Sequence, residues 1–415
     1  MRIALVNNFF PPRTSGSARQ VEQLAKTMAD RGHEVLVVTA AQGAKAGEFR
    51  IGGYRVTRLR CLTLPPLAFA MRYDLNFALS PRNLRHVFAL LDDFAPDVLH
   101  QHGQFFDITW MSGLWARSRH CPIALTVHTP LMHTNRFYSL LMQTADILFI
   151  RNLLRTWSPR LIATDAFMRD YVAQRYRLEN DQVVVIPLGV EATRLRNGNG
   201  ERVREKLGIG ERPMILSLGH IIPLRNRLLL VESLPYLLDA CPDAVLVVVG
   251  SVNDGRFLRR ADKLNVSGHV IATGPVPYSE IPSYIAAANV ECHEEGLGSG
   301  LGTATLEVMA AGTPIVAVAN PECFVGIKLR NGTELVLVGK NDPKGLATAI
   351  GRLLCDPQLA RSIGEGGRAL VEKHFTFEIS ADRHLELYES LIAPPAPHDR
   401  ESTSVETCRP DPSSL

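Results

Sequence analysis

The sequence predicts an α/β protein made of two consecutive doubly wound parallel sheets with a cleft between them. Three observations predict it. Short apolar runs alternate with amphipathic stretches of helical length along most of the 415 residues. The alternation breaks once, in the polar run that follows Pro187-Leu188-Gly189-Val190 and ends at Gly200, and starts again at Met214. Late in the second half, Val290 to Ala319 reads VECHEEGLGSGLGTATLEVMAAGTPIVAVA, a strand that enters a glycine-rich loop, a helix and a second apolar strand.

The elements follow in order. Ile3 to Val6 is a buried strand, and Pro11 to Ser17 a loop. Val21, Leu24, Ala25 and Met28 mark a helix that ends at Arg31-Gly32, with Gly32 suited to the left-handed position after a helix. Val35 to Val38 completes a βαβ unit, so a right-handed crossover is expected. No GxGxxG follows the first strand, which weakens a dinucleotide reading. Strands at Tyr54–Leu59, Asp97–His102, Ile123–Val127, Leu161–Thr164 and Val183–Ile186 alternate with helices at Pro81–Leu91, Ile108–Arg117 and Ser139–Trp157. In the second half, strands at Met214–Leu218, Val245–Val249, Val270–Thr273 and Leu335–Val338 join those of the glycine-rich segment. Helices are expected up to Leu238, near Glu280–Ala288, over 344–355 and 358–373, and last at Phe377–Ile392, which has no strand after it. Residues 394–415, rich in Pro, Ser, Thr and charge, read as a disordered tail.

Composition narrows the function. With 46% hydrophobic and 21% charged residues the chain is of globular type, able to bury a large core. No run reaches the roughly 18–20 apolar residues of a membrane span. The chain starts directly with a strand, with no secretion signal, so a cytoplasmic location is expected. Cys61, Cys121, Cys241, Cys292, Cys323, Cys355 and Cys408 form no CxxC or Cys/His cluster, which fits reduced thiols and argues against a zinc site. Residues 1–190 carry 22 Lys+Arg against 14 Asp+Glu, leaving 23 against 28 for the rest. A basic half suits anionic substrates or an anionic lipid surface, and an arginine-rich composition alone would produce the same count.

Ligands of open α/β sheets bind beyond the carboxyl ends of the strands, where Gly16, His102 and His128 fall. His100 and His102 are expected on opposite faces of their strand, so that only one of them faces the cleft. In the glycine-rich segment, Gly296, Gly298, Gly300 and Gly302 permit close backbone approach. Thr303 is expected to cap the helix, whose free amides form an anion site. Glu307 is a lone carboxylate on an apolar helix and needs a hydroxyl or cation partner if it points inward.

The ordered motifs resemble the large GT4 group of retaining glycosyltransferases, glycosyl transferases group 1, over about residues 1–390. Ser15-Gly16-Ser17-Ala18 with Arg31-Gly32-His33-Glu34-Val35 resembles the family's first loop and strand entry. Asp97 to His102, Thr126-Val127-His128 and Ile186-Pro187-Leu188-Gly189-Val190-Glu191 follow in family order. So do Leu218-Gly219-His220 through Arg225-Asn226 and, the most specific, Leu306-Glu307-Val308-Met309-Ala310-Ala311-Gly312-Thr313-Pro314.

The resemblance implies the GT-B fold: an N-terminal Rossmann-like acceptor domain over 1–188, a Rossmann-like nucleotide-sugar domain over 189–376, and a helix over 377–393 crossing back to the first domain. It implies a nucleotide diphosphate sugar as donor and co-substrate, with no further cofactor, no metal and no nucleic acid. Gly16, Gly219, His220, Arg225, Ser299, Gly300, Gly302, Thr303 and Glu307 are its donor-binding candidates, with Glu307 on the ribose hydroxyls. Arg225 holds the family's lysine position and His220 its arginine position, and Arg227 is expected to make up the lost charge. Ser299 stands where the family has its first Glu, so Glu295 or Glu294 is expected as a displaced equivalent. His128 and Glu295 are the catalytic candidates, and His102 and Arg13 the acceptor-side ones. The acceptor is open; a lipid-linked or anionic one fits the basic half, with the stretches about 66–89 and 137–157 resting on the inner membrane surface. A sugar-nucleotide epimerase or hydrolase, or a non-catalytic sugar-nucleotide or glycan-binding subunit, could use the same scaffold.

Overall fold

The computed structural model describes residues 1–13, 15–64, 75–133, 135–179, 182–222, 227–293 and 300–393. The chain runs through β1 (Arg2–Asn7), α1 (Gly16–Asp30), β2 (Glu34–Ala40), β3 (Gly47–Ile51) and β4 (Tyr54–Leu59). A two-stranded ribbon of β5 (Leu62–Leu64) and β6 (Leu75–Phe77) precedes α2 (Pro81–Phe94), β7 (Val98–His102), α3 (Asp107–Arg119) and β8 (Ile123–Val127). Next come α4 (Arg136–Ala145), a π-helical turn at Asp146–Ile150, α5 (Arg151–Trp157), β9 (Arg160–Ala163), α6 (Ala166–Tyr176) and β10 (Val183–Val185).

The second half holds α7 (Ala192–Leu195), α8 (Gly200–Leu207), β11 (Met214–Leu218), α9 (Leu228–Ala240), β12 (Val245–Val249), α10 (Arg256–Lys263), β13 (Val270–Gly274), α11 (Ile281–Ala287) and β14 (Val290–His293). It continues through α12 (Thr303–Ala311), β15 (Ile315–Ala317), β16 (Val336–Leu337), α13 (Pro343–Cys355), α14 (Pro357–His374) and α15 (Phe377–Ile392).

Among the described residues the strands form an eight-stranded sheet, β10-β9-β8-β7-β1-β2-β4-β3, and a six-stranded sheet, β13-β12-β11-β14-β15-β16. All neighbours are parallel except β3 on β4. Strands buried on both faces, such as Ile3–Val6 and Val245–Val249, sit centrally, as continuous apolar runs require. Ser15 caps α1, accepting from the Ala18 amide at 3.1 Å, and Gly32 has the positive φ of 82° expected after the helix.

The last helix crosses back. Ala381, Leu387 and Tyr388 of α15 are buried in the same core as Ile3, Leu5, Val21 and Ala25. The Ser380 hydroxyl donates to Pro187 O at 3.3 Å, and Arg31, just after α1, pairs with Asp382 at 2.6 Å. The chain therefore carries the GT-B architecture of two parallel-sheet α/β units with a returning helix.

The polar run at Gly47–Ile51, which carries no strand signal in the sequence, forms an antiparallel edge strand, a position that needs no apolar signature. Two local expectations are corrected. His100 and His102 lie two residues apart in β7 and so share one face, their rings 4.1 Å apart, because strand side chains alternate with period two. Thr303 does not cap α12; Gly302 is the N-cap, without a side-chain hydrogen bond, and Thr303 is the first helical residue. The expected tail over 394–415 lies outside the described residues.

Candidate active site between the two sheets

The first wall is a group of histidines. Register sets His102 of β7 beside Thr126 of β8, and His128 follows β8 directly. His102 Nδ1 and His128 Nε2 lie 2.9 Å apart, so one donates to the other. His102 is only 3% exposed, and its Nε2 has no hydrogen-bond partner among the described residues. His102, a candidate for the acceptor side, is thus buried behind His128 and orients that ring. His100 Nε2 is 2.8 Å from Thr126 Oγ1, and the Tyr388 hydroxyl of α15 is 2.5 Å from His100 Nδ1. His384, also on α15, packs 5.2 Å from the His100 ring and hydrogen-bonds Ser380 O through Nδ1.

Burial pushes the His128 imidazole down to about 4, helped by His384 nearby. Burial likewise holds His384 at about 4, and His100 and His102 well below the ordinary range. The whole group is neutral at pH 7. Gln20, Thr126, Leu188 and His384 help line a cavity beside His102 and His128 that is barely large enough for a water molecule.

The second wall is the N-terminus of α12. Its first amides have no intrahelical partner, and the macrodipole adds partial positive charge there. Glu307, 7% exposed, lies one turn into the helix and accepts from the Tyr278 hydroxyl at 2.9 Å. Burial raises its pKa, while Tyr278, Arg19 and Arg194 pull it back. The Arg19 guanidinium lies over the Tyr278 ring, and that of Arg194 is 4.5 Å from its centroid. Arg19 stands on α1, in the half opposite Glu307, so the two walls meet through Tyr278.

Gly219 and His220 extend β11 into the same region. Gly219 (φ 120°) packs against Gly250, where a Cβ would come within 2.5 Å of the Gly219 carbonyl. The Ser251 amide donates to His220 Nδ1 at 3.0 Å. That nitrogen is therefore unprotonated, and neutral His220 carries its hydrogen on Nε2. A Cβ on Gly16 would meet no atom within 4 Å, so the first turn of α1 has open space beside it. A Cβ on Gly300 would lie 3.7 Å from Asp165 of the first half, so the glycine-rich loop ends against the opposite wall. The Arg13 amide donates to Phe10 O at 3.1 Å in the loop before α1. Arg225, Glu294, Glu295 and Ser299 lie outside the described residues.

Arg227 is corrected. It is 5% exposed and turns inward, donating to Leu218 O at 3.1 Å, so it does not offer its charge to the cleft. Sequence reasoning missed Arg19, Tyr278, His384 and Tyr388. A cation in the first turn of α1 opposes the helix dipole, and that misfit was the available signal for Arg19. His384 and Tyr388 share the apolar stripe of α15, where the lone polar groups marked them.

Residues 14–194 match the family model of Glycosyltransferase Family 4, and residues 199–370 match that of Glycosyl transferases group 1. A GDP-mannose-dependent alpha-(1-6)-phosphatidylinositol monomannoside mannosyltransferase of Mycolicibacterium smegmatis is 33% identical over 198 residues, 44% of this chain and 50% of that protein. The phosphatidyl-myo-inositol mannosyltransferase of Mycobacterium leprae is 27% identical over 397 residues, 94% of this chain and 97% of that one. In the first of these matches the chain spans about half the length of its relative. The structure of Anabaena HepE in complex with UDP-glucose superposes with a TM-score of 0.71 at 16% identity, covering 94% of this chain and 100% of HepE, a likeness of fold. With two family models running consecutively from residue 14 to residue 370 on this architecture, the chain belongs to the GT4-type glycosyltransferases.

Proposed function

We propose that the chain transfers a sugar from a nucleotide diphosphate sugar to a lipid-linked acceptor, with retention of the anomeric configuration and without a metal ion. The observation that carries this reading is Glu307. A carboxylate buried one turn behind a helix N-terminus is costly unless a ligand uses it. Two vicinal ribose hydroxyls would take the place of the Tyr278 hydroxyl on it, with the diphosphate on the α12 amides beyond.

The leaving diphosphate gains negative charge as the glycosidic bond breaks. The free amides at Gly302–Thr303, the Nε2 hydrogen of His220 and Arg225 would stabilise it. Inversion needs a general base on the far side of the sugar, with a pKa near the working pH. His128, held at about 4, is a poor base for that task and a good neutral hydrogen-bond partner for the sugar. Retention follows if the departing phosphate oxygen itself takes the acceptor proton on the same face.

The acceptor would come from a membrane surface on the cytoplasmic side. No helix among the described residues is long and apolar enough to cross a membrane. Yet α4 buries none of its residues, and Phe137, Leu140, Leu141, Leu148 and Phe149 are 69%, 66%, 58%, 56% and 71% exposed along α4 and the π turn. Arg136, Arg151 and Arg155 flank them, which suits an anionic bilayer. Residues 81–89 of the other stretch lie in α2, which buries Asn83 and Val87 on its inner face, and residues 66–74 lie outside the described residues.

The test is a melting-temperature screen against UDP-, GDP- and ADP-sugars, followed by product analysis with lipid phosphate acceptors in the presence of a chelator. A stabilising donor, a glycosylated acceptor of unchanged anomeric configuration and chelator-resistant turnover are expected. Glu307→Gln should weaken nucleotide binding at least ~10-fold. Free sugar alone, an epimerised donor, or binding with no turnover would each replace transfer by hydrolysis, epimerisation or a binding role. Phe137→Glu with Phe149→Glu should abolish flotation with anionic vesicles while nucleotide binding persists.

A further inference from the structure

We infer that Glu291, Thr305 and His293 form a directional hydrogen-bond chain that positions the glycine-rich loop and the α12 N-terminus for the donor diphosphate. This rests on the nucleotide-sugar reading above, and the three are positioning residues that act through the backbone they hold.

Glu291 sits in β14 between Leu216 of β11 and Ile315 of β15, at 1% exposure. A carboxyl group at that depth is not needed for packing, and its Oε2 has no hydrogen-bond partner among the described residues. Its other oxygen is 3.5 Å from the Thr305 hydroxyl of α12. That hydroxyl is 2.8 Å from His293 Nδ1, and His293 Nε2 is 3.2 Å from Gly300 O. The same ring packs against the α12 N-cap, its Cε1 3.8 Å from where a Gly302 Cβ would stand. One imidazole thus touches the two glycines that end the loop.

The direction of the chain follows from counting hydrogens. A threonine hydroxyl has one. Given to His293 Nδ1 over the shorter distance, it leaves the ring hydrogen on Nε2, where it donates to Gly300 O. Thr305 Oγ1 then turns a lone pair toward Glu291 Oε1 across 3.5 Å, a long contact that is attractive only when Glu291 is the neutral acid and points its hydrogen there. Burial pushes Glu291 up to about 8, with Arg227, ahead of α9, and Thr305 pulling it back. Arg227 is the one charged group acting on it among the described residues, and His293 is the titratable neighbour on its own strand. Near neutral pH the chain therefore runs Glu291 to Thr305 to His293 to Gly300.

Ionisation reverses it. A Glu291 carboxylate takes the Thr305 hydrogen, Thr305 presents a lone pair to Nδ1, and the neutral ring moves its hydrogen there. Nε2 then turns a lone pair toward Gly300 O, and two acceptors repel. The loop end loses its tie in the pH range where Glu291 ionises.

The experiment is calorimetric titration of the full chain with UDP, GDP and ADP from pH 6.5 to 9.5. For the diphosphate that binds, the wild-type Kd should rise ~10-fold on the alkaline side, the worth of one hydrogen bond near a charge. In Glu291→Gln the amide N–H donates at every pH, so the alkaline rise should be absent. Ionisation of the nucleotide is common to both proteins and cancels in the comparison. Thr305→Val should bind ~10-fold more weakly already at pH 7 with no further rise, and Thr305→Ser should restore the wild-type profile. An alkaline rise that survives in Glu291→Gln, or Thr305→Val binding like the wild type, overturns the chain. Wild-type binding without any alkaline rise also overturns it, whereas a wild type that binds none of the three diphosphates overturns the donor-site reading beneath it.

Discussion

His128 stands where a catalytic base would stand, but its surroundings make it a weak one. Its Nε2 is committed to His102, and burial keeps the ring neutral from well below pH 6 upward. Replacing it with Ala should lower kcat/KM by ~10²-fold through a lost hydrogen bond to the reacting sugar. The pH–rate profile of the wild type should show no limb near 6.5, where an ordinary histidine titrates. A limb there that vanishes in His128→Ala would mean that the ring works as an acid or base after all. At this scale the sequence was legible where chemistry leaves an anomaly. Glu307 stood out as a carboxylate on an apolar helix, and its partner Tyr278 did not, because a tyrosine on a helical turn is unremarkable until its hydroxyl is seen to meet Glu307 at 2.9 Å. Arg227 and Arg225 look alike in sequence, but only the fold reveals that Arg227 turns inward to Leu218 O.

Element by element, continuous apolar runs mark central strands well, because both faces are buried. The helix expected over 358–373 is present as Pro357–His374 in spite of its glycines. The helix α14 contains Gly364, Gly366 and Gly367, each unfavourable by about 1 kcal/mol relative to Ala in a helix interior. The structure accounts for them. A Cβ on Gly364 would come within 2.0 Å of the Gly312 carbonyl, which ends α12, and one on Gly366 within 2.0 Å of Thr333 O. Close backbone approach outweighs helix propensity here. Gly364→Ala should therefore destabilise the protein by about 1–3 kcal/mol of overpacking, although Ala is the better helix former. A urea unfolding midpoint that stays level or rises would show that the α12–α14 contact can relax. The π turn between α4 and α5, by contrast, was hidden, because packing and not local preference holds it. Asp146 opens it, fully buried, with the Tyr176 hydroxyl donating to it at 3.1 Å and the Arg175 guanidinium forming an ion pair with it at 3.4 Å. These tertiary contacts from α6 fix the extra residue in the turn, and no periodicity within 139–157 reports them.

At the scale of the whole molecule, the connection between the halves and the returning helix tie the first sheet to the second half, and buried titratable groups make stability depend on pH. Gln20 of α1 donates to Gly189 O at 2.7 Å and accepts from the Gly189 amide at 3.3 Å, tying the first sheet to the connection between the halves. The α15 helix then returns to place His384 and Tyr388 against His100. His384 is held at about 4 when folded and titrates near 6.5 when unfolded. Between those values the unfolded chain binds more protons, so stability is lost as pH falls through this window, by about 1.4 kcal/mol per pH unit for this ring. Glu291 has the opposite sign. Its folded value of about 8 lies above the 4.5 of an exposed glutamate, so the folded chain binds more protons and stability is lost as pH rises from 4.5 toward 8. Each effect is isolated by its own variant. The stability difference between Glu291→Gln and the wild type should grow by about 1.4 kcal/mol per unit from pH 5 to 8 and then level off. The acid decline of His384→Gln should be shallower than that of the wild type by the same slope between pH 6.5 and 4. Urea unfolding across this range measures both, and a Glu291→Gln difference independent of pH would show that this carboxyl is ionised in the folded protein and that the hydrogen-bond chain beneath the loop runs the other way.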